Sequence, residues 1–144
     1  MTPRAAVAVA LAAAVVAVPA ADAAKRKPMS GSYDVFVPVP YPNESASGSH
    51  CEDAPDLSRN MKTLTLPSAG KLTVRLSETV GDHVIELFDS RGRRLATAGA
   101  GAGVDVVHTL TYRKRSRATQ KLTVGICNFA GGPDGHVDWT YAFS

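Results

Sequence analysis

Four cations stand within five residues at Arg113-Lys114-Arg115-Ser116-Arg117, the most distinctive charged feature of the chain. Cations grouped this closely attract a polyanion such as teichoic acid, an acidic polysaccharide, phospholipid head groups or nucleic acid, and salt weakens the attraction. No aromatic residues interleave with them to stack bases, which argues against nucleic-acid recognition. The plainer reading of the same run is a soluble hairpin tip. Cys51 and Cys127 are the only cysteines, and an even pair in an exported chain predicts one disulfide. A zinc knuckle needs closer spacing, and a cysteine nucleophile needs a basic partner that the sequence certifies for neither residue.

The other chemistry-bearing residues are scattered. Glu52, Asp53 and Asp56 lie close together beside Cys51, and Asp82, Asp134 and Asp138 could approach from turns. Calcium takes roughly six to eight oxygen ligands, and no EF-hand spacing is present, so no cofactor is expected; calcium is the one ion these acids leave open. His50, His83, His108 and His136 form no short-spaced metal pair. His83 and His108 share the phase of apolar neighbours, which predicts partly buried strand histidines. No G-x-S-x-G turn occurs, so no catalytic residues are assigned.

The elements that must position these groups centre on residues 70–95. Leu72-Val74-Leu76 and His83-Ile85-Leu87 alternate with polar residues, with turns at Gly81-Asp82 and Asp89-Ser90-Arg91-Gly92. Alternation at period two marks strands with one buried face, and two strands need further partners. Those come from Tyr33 to Val39, restricted by its prolines to a sheet edge or an extended polyproline-like cover, and from Met61 to Leu66, Arg93 to Ala98, Val104 to Tyr112, Lys121 to Asn128 and Val137 to Phe143. On the last strand Val137, Trp139, Tyr141 and Phe143 share one phase, which predicts a core face rather than an exposed carbohydrate platform. Leu122, Val124 and Ile126 point inward, so Cys127 points outward and the disulfide ties the Cys51 loop across an outer face or rim. The sum is an all-β, jelly-roll-like sandwich of about seven to eight antiparallel strands.

Residues 1–23 carry one early cation, an apolar run from Ala5 to Val18 and a small-x-small site at Ala21-Asp22-Ala23. This predicts a secretory signal peptide, an extracellular location and no stable membrane anchor. Residues 24–60 read as a basic, Pro/Ser-rich arm, mobile as far as Ser32, with one edge strand and a loop that the disulfide pins. Residues 61–144 read as the sandwich core. Asn43-Glu44-Ser45 fits a glycosylation triplet, a pattern common by chance in Ser-rich loops. The formal net charge is +3, too small to diagnose a polyanion partner unless the cations cluster.

Three segments in order, Gly70 to Leu76, Ile85 to Ala96 with its Asp89-Ser90-Arg91-Gly92 turn, and Leu122 to Asn128 followed by a glycine-rich turn and an aromatic strand, resemble the bacterial pre-peptidase C-terminal domain family. The resemblance covers Met61 to Phe143. It implies a jelly-roll-like sandwich of the kind appended to secreted proteases, some of which bind calcium or polymers such as collagen. The chain departs from the family in its Asp82-His83-Val84-Ile85-Glu86 strand, where members carry more aspartates. The expected function is an exported, non-catalytic module that binds an extracellular polymer, such as cell wall, polysaccharide or matrix protein, through Arg113, Lys114, Arg115 and Arg117. A structural or inhibitory partner of an exported protease and a small secreted hydrolase are the alternatives.

Overall fold

A computed structural model describes residues 26–41, 51–99, 103–104 and 106–144. The signal-peptide segment, the glycosylation triplet and His50 lie outside the described residues. Among the described residues nine strands form: β1 (Met29–Phe36), β2 (Arg59–Leu66), β3 (Gly70–Ser77), β4 (Val80–Phe88), β5 (Arg94–Ala98), β6 (Gly103–Val104), β7 (His108–Lys114), β8 (Gln120–Gly131) and β9 (Asp134–Phe143), with one 3-10 turn at Asp56–Ser58. Among the described residues no helix is long and apolar enough to cross a membrane.

One sheet has the order β1-β9-β3-β7 and the other β2-β8-β4-β5, with β6 pairing β4 beside it. Setting β6 aside, the pairs nest: β1 with β9, β2 with β8, β3 with β7 and β4 with β5, all antiparallel. A long hairpin rolled up on itself produces this nesting, which is the jelly-roll arrangement. The alternation in sequence becomes the two faces of each sheet. Leu72, Val74, Leu76, Leu110, Val137 and Tyr141 from one sheet meet Leu64, Leu66, Ile85, Leu87, Leu122, Val124 and Ile126 from the other. Each such side chain, fully buried, contributes about 1.5–3 kcal/mol relative to exposure. Trp139 and Phe143 pack against this core beside buried Tyr141, as their shared phase predicts.

Two boundaries differ from the sequence reading. The N-terminal arm is not mobile from residue 29 onward: Met29 to Ser32 pair with Tyr141 to Asp138, and Val35 and Val37 enter the core. The chain around Val104 to Tyr112 is two strands rather than one. Val104 pairs with Val80 in one sheet, whereas His108 pairs with Leu76 in the other, so the chain crosses between sheets before β7 and the strand continues to Lys114.

A second, smaller core forms on the outer face of the β2-β8-β4-β5 sheet. Cys51 and Cys127 are disulfide-bonded with Cα atoms 5.4 Å apart, on the outward phase of β8. They cluster with Ala54, Phe88 and Phe129, flanked by Tyr41 and Val84. The bridge therefore holds the Cys51 segment as a lid over an outward-facing apolar patch.

Candidate functional site

The turns 67–69, 89–93 and 115–119 all emerge at one end of the sandwich, because β3 and β8 begin there and β2, β4, β7 and β9 end there. The side chains of Lys71, Arg91, Arg113, Arg115, Arg117 and Lys121 are exposed at this end. Among the described residues none of these six stands within ion-pair distance of a carboxylate. The ion pairs near this end are Arg93 with Asp89 at 3.1 Å and Arg94 with Glu86 at 2.9 Å. Asp34, Asp56, Glu78, Asp82 and Asp134 lie instead toward the opposite end, where β1 and β8 finish and β2, β4 and β9 start. The strand order thus turns a small net charge into a molecule with a cationic end and an acidic end.

Lys71 and Arg113 occupy directly opposed positions on β3 and β7, both exposed on the outer face. Like charges directly opposed across antiparallel strands destabilise the pairing. Register between strands so far apart in sequence cannot be read from the chain, so nothing local marks Lys71 as a site residue.

Lys114 departs from the sequence expectation. Arg113, Arg115 and Arg117 are exposed, but Lys114 is only 1% exposed. Its ammonium donates to the carbonyl oxygens of Ser68 (2.9 Å), Ser116 and Ala118. The Ser68 carbonyl also accepts from the Tyr141 hydroxyl. Lys114 continues the inward phase of His108, Leu110 and Tyr112, so its stem lies along the core while its head locks the β2–β3 and β7–β8 turns together. Desolvation pushes its pKa down. It braces the cationic turn from within and does not present its charge to a partner. Lys114→Met is expected to lower stability by about 2 kcal/mol by leaving carbonyls without their donor. Exposed Arg115→Gln should stay within about 0.5 kcal/mol. Urea denaturation of the two variants checks this.

Among the described residues the candidate carboxylates do not converge on a common site. Asp56 pairs with Arg59 at 2.7 Å, and Asp138 lies 4.0 Å from Arg75. Among the described residues no group of three or more His, Cys, Asp or Glu side chains is placed to hold a metal ion. His136 sits on an open sheet face with Asp34 2.7 Å from Nδ1 and Asp138 3.6 Å from Nε2. The hydrogen bond to Asp34, and then the carboxylates around the ring, push its pKa up. Neither protein-family models nor curated proteins match this chain.

Proposed function

We propose that this chain is an exported, non-catalytic module that holds a polyanionic extracellular polymer at the cationic end of its jelly roll. The observation that carries the reading is the opposed Lys71–Arg113 pair, two exposed like charges with no carboxylate beside them among the described residues, continuous with Arg115 and Arg117. An arrangement that costs pairing energy in the free protein is relieved when negative charge binds over it. The sequence supports export through its N-terminal apolar run and small-x-small site, and the disulfide suits an oxidising compartment. In this reading the order of strand motifs in the sequence supports a kinship with the pre-peptidase C-terminal domains, with the chain standing as a binding module.

Retention of the purified chain on immobilised dextran sulfate, against neutral dextran, tests the reading. Each cation near an anionic surface contributes about 1 kcal/mol. Replacing Arg113, Arg115 and Arg117 together by glutamine is therefore expected to weaken retention about 100-fold and flatten its salt dependence. Equal retention of wild type and triple variant, or equal retention on neutral dextran, would overturn the proposal.

A further inference from the structure

At the opposite end from the cations, the inner face carries polar groups that the rest of the molecule leaves unused. His83 follows an irregularity in β4 and stands directly opposite Asn128 on β8. That irregularity lies where Gly81 and Gly131 face each other with φ of 107° and 121°. A Cβ on Gly81 would lie 1.9 Å from the Ala130 carbonyl oxygen, so only glycine allows the strands to close there. His108 opens β7 in the facing sheet. His83 is 1% exposed, His108 6% and Asn128 fully buried.

Among the described residues four buried atoms here find no hydrogen-bond partner: Nδ1 and Nε2 of His83, Nε2 of His108 and Oδ1 of Asn128. The Asn128 amide cannot simply be turned round. Its Nδ2 donates to the carbonyls of Val37 (3.0 Å), Gly132 (3.1 Å) and Gly131 (3.5 Å), and a flip would set an oxygen against all three. Oδ1 is thereby fixed in orientation with nothing to accept. Buried polar atoms almost always find a partner, and a group of orphans calls for an occupant.

The chemistry of these donors selects that occupant. His108 faces His83 closely enough for the two rings to act on each other electrostatically. An imidazole nitrogen that accepts no hydrogen bond keeps a lone pair for a metal. Imidazole nitrogens with an amide oxygen suit zinc, copper or nickel, whereas calcium requires an oxygen shell. We propose that His83, His108 and the Oδ1 of Asn128 bind one divalent first-row transition-metal ion of the zinc or copper class, with water completing its coordination.

The test uses the purified, untagged chain stripped with a chelator and titrated with zinc sulfate or copper sulfate by calorimetry. One ion per chain and a raised melting temperature are expected. His83→Gln and His108→Gln should each lose more than about 100-fold in affinity, since even outer-shell changes cost up to that much. Should either variant fail to fold, the wild-type chain still decides. Substoichiometric copper is expected to broaden the ring resonances of His83 and His108 ahead of those of His50 and His136. Absence of binding, full binding by the folded variants, or broadening confined to His50 and His136 would overturn the proposal and assign the orphan atoms to ordered water.

Discussion

Replacing Cys51 and Cys127 together by alanine is expected to lower the free energy of unfolding by about 4 to 5 kcal/mol, the largest loss from any change outside the main core. The two residues are 76 apart in sequence, and closing a loop of that length removes about that much conformational freedom from the unfolded chain. Alanine is the right substitute because both cysteines are fully buried and a serine hydroxyl there would add its own desolvation cost. Urea denaturation checks the magnitude. A loss below about 1 kcal/mol would mean that the lid is held by Ala54, Phe88 and Phe129, with the bridge adding little.

The second large effect concerns Glu86, which reaches the same lid from beneath. Glu86 is 1% exposed; its Oε2 accepts the Cys51 backbone N–H at 2.9 Å, and its Oε1 accepts Arg94 Nη1 at 2.9 Å. Glu86→Ala leaves a buried N–H without its acceptor and a guanidinium without this carboxylate. Breaking a buried pair from one side costs about 3–5 kcal/mol, and Arg94 keeps partial access to water, so about 3 kcal/mol is expected. Glu86→Gln, which retains an acceptor for Cys51, should lose less. The pH dependence separates the two contributions. Desolvation raises the Glu86 pKa above its usual value, against the Cys51 hydrogen bond that lowers it. A carboxyl whose folded pKa is raised takes its proton in the native state first. Its contribution is therefore complete below the unfolded pKa and is lost as pH rises through the folded one. The stability of the wild type relative to Glu86→Gln is expected to grow on acidification through that window. A difference that shrinks on acidification would show that Glu86 is stabilised as a carboxylate by its partners more than burial disfavours it.

The candidate sites were legible in different degrees. Arg113, Arg115 and Arg117 were visible as a run, and their exposure follows from lying at or beyond the end of β7. Lys114 was grouped with them by adjacency, although period two already placed it in phase with His108, Leu110 and Tyr112. Lysine's long apolar stem lets it occupy an inward position while its ammonium reaches carbonyls at the end of the sandwich, a solution that charge counting does not reveal. Lys71, Glu86 and Asn128 carried no local signal. Each matters because of what stands opposite or above it: Arg113, the Cys51 amide and His83.

Local sequence pattern specifies the all-β class, the approximate strand set, the core phase of Trp139, Tyr141 and Phe143, and the outward direction of Cys127. All of these depend on alternation within one short segment, where the pleat of a strand translates order into facing. Long-range packing decides the nested pairing, the segregation of cations and acids to opposite ends, the cage around Lys114 and the register that sets His83 opposite Asn128. Those depend on register between strands that are distant in sequence and on how the two sheets face, both set by the burial of the whole core at once.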